Sequence, residues 1–254
     1  MQPTNEQRTE EYFKKFDREK VLKLLINDMA PVIFDVGANN GSSLAQFKAW
    51  WPDATVHCFE PQKECWAELD VRAAQYTLGS VFINKVGAGE MASESLTFYT
   101  HDLTNGQSGF NRINTNSHDS IRLRELNDSQ QMLDEYAASL NHAREVPLVR
   151  LDSYIANNLI DKVSLLKIDT QGYEPEVLSG LGDRLSDIDV VITELMFYDF
   201  YERSLSFSDI EKYLLPAGFK LYDISHISKN PMNGRTDWVD VIYVKNKNQV
   251  KTNA

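Results

Sequence analysis

The feature that most constrains this chain is a repeated exchange between short apolar runs and stretches of helical period. "VIFDV" (32–36), "TVHCF" (55–59), "VSLLKID" (163–169) and "DVVITEL" (189–195) are each followed by residues whose apolar positions recur every three to four. A run as continuously apolar as 32–36 suits a strand covered on both faces. Strand–helix alternation of this kind predicts an α/β domain built on a mostly parallel, doubly wound sheet. In such sheets ligands sit at the carboxyl ends of the strands, where strand order reverses.

The first thirty residues carry Tyr12, Phe13, Phe16, Val21, Leu22, Leu24 and Leu25 at roughly helical spacing and read as a helical extension ending before Pro31. A main domain is then expected over 31–245, and a flexible polar tail over 246–254. Helices are expected from Leu44 to Pro52 and over 62–76. The third strand is expected at "SVFINKVG" (80–87), with an extra strand at "SLTFYT" (95–100). Residues 101–145, rich in Asn, Ser, Gly and Thr, break the rhythm and read as a lid-like insertion with one helix near 128–142. Alternation resumes at "VPLVRL" (146–151), followed by helices from Asp152 and Glu174. A capped helix in "SFSDIEKYLLPAGF" and final strands "KLYDIS" and "WVDVIYV" close the chain.

A formal net charge of −11 over 254 residues argues against nucleic acid as a partner, which requires a basic footprint. No segment reaches membrane-spanning length, and the polar start lacks the apolar centre of a signal peptide. Cys58 and Cys65 are the only cysteines; they form neither a disulfide framework nor a zinc site, so a reducing cytoplasm is the expected compartment. The expected partner is a small molecule, with neither nucleic acid nor membrane; a homodimer is compatible with the sequence.

The first strand runs into "VIFDVGANNGSS" (32–43), a turn of glycines and small polar residues. A P-loop would need a lysine after the last glycine, where Ser42 stands. A dinucleotide turn would need glycine at position 39, where Asn39 carries a side chain into the space a pyrophosphate would approach. Glu60, followed by Pro61 at the end of the second strand, fits an acceptor for ribose hydroxyls in a nicotinamide or an adenosyl site. A ligand with a zwitterion and an adenosine but no phosphate suits what remains. Asp35 can accept from an ammonium, and the first amides of the helix from Ser42 can face a carboxylate. S-adenosylmethionine is such a ligand. An NAD(P)-dependent oxidoreductase and a non-catalytic S-adenosylmethionine-binding module are the alternatives.

The blocks "FDVGANNGSS" (34–43), "CFEP" (58–61), "NKVGAG" (84–89), "VRLDSYI" (149–155) and "LLKIDTQGYEPEVLSG" (165–180) resemble, in order, the FkbM family of S-adenosylmethionine-dependent methyltransferases. The resemblance implies a class I methyltransferase fold: a Rossmann-like, doubly wound, seven-stranded sheet with the last strand antiparallel. It also implies methyl transfer, usually to a hydroxyl oxygen of a sugar or natural-product scaffold. On this resemblance Asp35, Gly37, Ala38, Asn39 and Gly41 would line the methionine end of the donor. Glu60 would bind the ribose, Val86 and Gly87 would lie near the adenine, and Asp169 would lie beside the sulfonium. One departure is Gln171, where the family commonly has an acid; Glu174 remains nearby.

Lys167 and Asp169 share one face of a central strand. A structural ion pair among Lys167, Asp35, Asp169 or Glu194 and a catalytic role in orienting substrate or removing its proton are both open. Asp169 and Glu194, on neighbouring strand ends, are able to hold a magnesium ion, but no third oxygen ligand is in view and a metal is not favoured. Among the histidines, His57 reads as structural, and His118 and His142 as exposed residues of the insertion or its helix. His101 begins the insertion. His226, placed at the start of a loop over 226–238, is the histidine candidate for catalysis, with Lys229, Arg235 and Trp238 as substrate contacts or ordinary loop residues. The aromatic run 196–207 reads as core or as a substrate wall.

Overall fold

The structure, a computed structural model, describes residues 3–102, 105–117 and 129–245. β1 (Val32–Val36) lies at the centre of the sheet, paired in parallel with β2 (Thr55–Phe59) and with β7 (Val163–Ile168). Alternation along β1 sends Ile33 and Asp35 to one face and Phe34 and Val36 to the other. The chain winds outward through α3 (Ser42–Trp50), β2, α4 (Lys63–Ala73) and β3 (Ser80–Asn84). It later returns to the other side of β1 with β7, then β8 (Ile188–Met196). β9 (Phe219–Lys229) and β10 (Thr236–Lys245) follow as a hairpin, with β10 antiparallel to both β8 and β9. The order is β3-β2-β1-β7-β8-β10-β9, the expected seven-stranded class I methyltransferase arrangement. Strand order reverses between β1 and β7, which places the ligand crevice over their carboxyl ends.

Both faces are covered, which is why the central strands tolerate no polar alternation. α6 (Leu151–Asn157), α7 (Glu174–Ser179) and α8 (Phe207–Leu214) pack Leu151, Ile155, Val177, Leu178, Ile210 and Leu214 on Phe34, Leu166 and Val191. α2 (Arg18–Leu25), α3 and α4 cover Ile33, Leu165, Val190 and Ile242 on the opposite face. His57 behaves as expected of a structural residue. Its Nδ1 is 2.8 Å from the Tyr154 hydroxyl, its ring stacks on Phe82, and burial pushes its pKa down to about 4.

Several boundaries differ from the sequence reading. The N-terminal extension is two helices, α1 (Asn5–Lys15) and α2, because Phe16 turns extended and the Asp17 side chain accepts from Lys20 N to start a new helix. The third strand stops at Asn84; Gly87 belongs instead to β4 (Gly87–Ala88) in a side sheet with β6 (His142–Val149) and β5 (Ser93–Thr100). Among the described residues of the insertion the α-helix is α5 (Gln130–Ala138), which ends before His142, and His142 opens a strand rather than sitting in a helix. His118 and the tail 246–254 lie outside the described residues. His226 does not begin a loop. It lies inside β9 opposite Asp240, and the connection is residues 230–235, closed by Gly234 N donating to Asn230 O. The polar alternation of 226–229 is that of an edge strand, and it was the following Asn, Pro and Gly residues that marked the true turn.

Two substitutions test this packing by urea denaturation. Leu166→Ala, at a site with no solvent exposure, should cost about 2–5 kcal/mol. Leu159→Gly should instead raise the urea midpoint, because Leu159 is exposed and held at φ 54°.

Candidate functional site

The turn after β1 is built by backbone constraints before any ligand is considered. Gly37 has φ 79°, and a Cβ there would lie 1.9 Å from the Asp169 carbonyl oxygen, so the close approach of β1 and β7 requires glycine. Asn39 is left-handed at φ 47°, a conformation asparagine tolerates better than most residues. Its backbone N–H donates to Glu60 Oε2 at 2.7 Å, while Gln62 N–H donates to Oε1 at 2.7 Å. Gly41, also left-handed, caps α3, and Asn40 Oδ1 accepts from the Ser42 hydroxyl at 2.8 Å.

Beneath this turn lies a buried ion-pair cluster. Lys167 Nζ is 3.1 Å from Asp35 Oδ1 and 3.4 Å from Asp169 Oδ2, and it donates to Gly37 O at 2.9 Å. Burial alone would drive the Lys167 ammonium down, but Asp35 and Asp169 outweigh it and hold it above its ordinary value. Burial pushes the Asp35 carboxyl up, against the pull of Lys167. The structural ion pair weighed from sequence is therefore present, and it shares its lysine with the site.

A cavity of about 290 Å³ opens above the carboxyl ends of β1, β2 and β7. Gly37, Ala38, Asn39, Ser42, Glu60, Pro61, Gly87, Lys167 and Asp169 all line it, with Gln171, noted above as a departure from the family pattern, and with residues the sequence did not single out: Gln62, Phe98, Ser108 and Phe110. Asp35 is wholly buried and lies behind the wall rather than on it, and Gly41 and Val86 are likewise not on the lining. Burial pushes the Glu60 carboxyl up to about 7, against the two backbone N–H groups that favour its charged form. At the far end Phe98 and Phe110 meet edge to face, and a Cβ on Gly87 would meet Phe110 at 2.8 Å. These aromatic walls come from β5 and the insertion; only the alternation of "SLTFYT" hinted at one of them.

A second cavity, of about 320 Å³, shares Ser43, Lys167 and Asp169 with the first and extends over β7, β8 and β10. Its other walls include Arg18, Glu194, His226, Trp238 and Asp240, with Arg18 paired to Asp240. Glu194 and His226 thus belong to this cavity and not to the first. Burial, then the charges of Asp169 and Asp240, raise the Glu194 carboxyl to about 9. Arg235 pairs with Asp237 and lies over the Tyr198 ring, and Lys229 donates to Thr236 Oγ1, so neither is on the cavity wall. Glu174 is buried as a clasp for its own loop, accepting from Thr170 N at 2.8 Å and from Thr170 Oγ1 at 3.0 Å. In the aromatic run, Phe200 and Tyr201 join Ile113, Tyr136 and Leu140 in a core under the insertion.

Comparison with known proteins gives a match of residues 35–221 to the Methyltransferase FkbM domain. The 31-O-demethyl-FK506 methyltransferase FkbM of Streptomyces tacrolimicus is 32% identical over 157 residues, 60% of each chain. Methyltransferase 1 of Beauveria bassiana (strain ARSEF 2860) is 29% identical over 177 residues, covering 66% of this chain and 68% of that protein. The 2-O-methyltransferase NoeI of Sinorhizobium fredii is 25% identical over 186 residues, covering 71% and 70%. The matched region spans less than two thirds of the first of these relatives and slightly more of the other two.

The buried pair and the raised carboxyl give two expected outcomes. Lys167→Met leaves Asp35 buried without its partner and should cost about 3–5 kcal/mol, a loss that Asp35→Asn in the same chain should partly recover in a double-mutant cycle. Glu194 stays protonated in the folded chain up to about 9, whereas the unfolded carboxyl ionises near its ordinary value. The folded state therefore binds more protons in between, and this group makes stability fall as pH rises from about 5 to 9. Glu194→Gln should flatten that fall when melting temperature is followed across the range.

Proposed function

The chain belongs to the FkbM methyltransferase family, and from that premise we propose that it transfers a methyl group from S-adenosylmethionine to a hydroxyl oxygen of a small sugar-like or natural-product acceptor. We assign residues 31–245 as the catalytic unit, with the first thirty residues as an extension that reaches the second cavity through Arg18. The names of two relatives, a 31-O-demethyl-FK506 methyltransferase and a 2-O-methyltransferase, support oxygen as the accepting atom.

The observation that carries the reading is the pairing of two cavities across one carboxylate, Asp169. The first cavity fits an adenosyl donor. Glu60 presents a carboxylate fixed by two backbone N–H groups, and Ser108 Oγ is buried in the wall with no hydrogen-bond partner among the described residues. Phe98, Phe110 and Gly87 form an apolar end suited to a purine. Ala38, Asn39 and Ser42 would hold the amino-acid end, with Asp35 acting on it only through Lys167 and the turn. When bound, S-adenosylmethionine supplies an electrophilic methyl on a sulfonium leaving group.

The protein's share of the reaction is alignment, exclusion of water and removal of the acceptor's proton. Asp169 is the residue we assign to take that proton, since its side chain is partly exposed and stands on both cavity walls. Glu194, held neutral at ordinary pH, is suited to donate a hydrogen bond to the acceptor rather than to act as base. Lys167 Nζ, 3.4 Å from Asp169 Oδ2, helps to hold that carboxyl in place at the junction. His226 and Trp238 form a side wall of the second cavity, where a ring can stack and a hydroxyl can bond.

Incubation of the protein and cell extract with methyl-deuterated donor, read by mass spectrometry, tests the assignment. A new product labelled on oxygen is expected, and label on carbon or nitrogen would contradict it. With that acceptor in hand, Asp169→Asn should lower kcat by about 10²–10⁴-fold, while donor affinity changes far less.

A further inference from the structure

Between the two cavities, one side chain joins three elements that are distant in sequence. Gln171 Nε2 donates to Asp169 Oδ1 at 2.9 Å and to Glu194 Oε2 at 3.2 Å, and its Oε1 accepts from the Tyr201 hydroxyl at 2.7 Å. Both amide hydrogens and the amide oxygen are thereby used. Turning the amide over would set its oxygen against the Asp169 carboxylate oxygen at 2.9 Å, an acceptor facing an acceptor. Tyr201 is itself anchored in the core under the insertion, and its hydroxyl lies 2.9 Å from Gln107 O. Gln171 sits at φ 58°, left-handed for a residue with a side chain, followed by Gly172 at φ 93°. That backbone directs the amide into the gap between β7 and β8.

Two carboxyl groups on adjacent strand ends repel when both are ionised, and a proton on one of them or a cation between them relieves it. A divalent cation would do this with oxygen lone pairs converging on it. Here the convergence point carries two N–H dipoles instead. Among the described residues, no group of three or more His, Cys, Asp or Glu side chains is arranged to hold a metal ion.

We propose that Gln171 is a positioning residue whose side-chain amide takes the place of a divalent cation between Asp169 and Glu194, fixing both carboxyl groups at the junction of the two cavities without a metal. Its importance for turnover rests on the methyl-transfer reading; the bridge itself does not. The arrangement also makes the neighbourhood responsive to one atom. Exchanging the amide nitrogen for oxygen, as in Gln171→Glu, places three carboxyl groups around one point and should create the cation site that the amide pre-empts.

Titration with MnCl2 alone, followed by electron paramagnetic resonance, reads this directly. The unaltered protein should bind no Mn2+ below about 1 mM, weaker than even extracellular-type oxygen sites. Gln171→Glu, shown to be folded by circular dichroism, should bind Mn2+ at least tenfold more tightly, and Glu194→Gln added to it should remove the gain. Tight Mn2+ binding by the unaltered protein that is lost in Asp169→Asn would overturn the proposal, as would a folded Gln171→Glu with no gain. A second measurement does not depend on that variant folding. In the unaltered protein the Gln171 side-chain amide protons, assigned by their loss in Gln171→Leu, should exchange more slowly than those of the surface residues Gln130 and Gln131; equal exchange would refute the bridge. Failure of the unaltered protein to bind S-adenosylhomocysteine, with the Mn2+ and exchange results as expected, would remove the methyl-transfer reading and leave the bridge in place.

Discussion

A lysine ammonium buried under a glycine turn is the interaction on which the rest of the site depends. Lys167 reaches from β7 to Asp35 of β1, to the Gly37 carbonyl and to Asp169. It binds together the two strands between which the sheet changes direction. Removing a lone charge from such a cluster is costly, whereas the complete set compensates its own desolvation. The turn that follows inherits its position from this cluster. Gly37 is pressed against the Asp169 carbonyl, Asn39 turns left-handed, and Glu60 is captured by the Asn39 and Gln62 amides.

The same cluster divides the labour among carboxyl groups of similar chemistry. Asp35 is sealed in and serves the lysine. Glu60 faces the first cavity, Glu194 the second, and Asp169 stands on both walls. Burial and neighbouring charge keep Glu194 protonated well above the usual carboxylate range. In the proposed reaction Asp169, with an ammonium on one oxygen and an amide on the other, is the carboxylate left to exchange a proton with an acceptor. Separating acid and base roles by environment alone is a general device for running proton chemistry near neutrality.

What was legible in the sequence were the parts governed by local rules. Buried parallel strands announce themselves as apolar runs, and the glycine turn by its composition; Ser206 with Asp209 makes the expected capping box for α8. Asp35, Glu60, Lys167 and Asp169 could be named because each lies at a strand end whose direction the alternation already gave. The rest depends on tertiary neighbours. Phe98 becomes a wall because β5 folds back on β6, and Phe110 because its segment bridges to β5 at Tyr99 and Gly109; the alternation of β5 hints at the first, and nothing local marks the second. His226 was misplaced because an edge strand and a polar loop look alike until the hairpin register is known. Gln171 read as a departure from a pattern; its meaning came from Glu194 and Tyr201, 23 and 30 positions away.

In the proposed donor site the turn over 35–42 and Glu60 cradle an amino-acid zwitterion and a ribose, with no diphosphate. Isothermal titration of S-adenosylhomocysteine, set beside NADH under the same conditions, tests it most directly. Saturable one-to-one binding of S-adenosylhomocysteine, weakened by Glu60→Ala, is expected, with no heat from NADH. Absence of heat and of any thermal shift at about millimolar S-adenosylhomocysteine, where even a binding free energy near 4 kcal/mol would register, would contradict it.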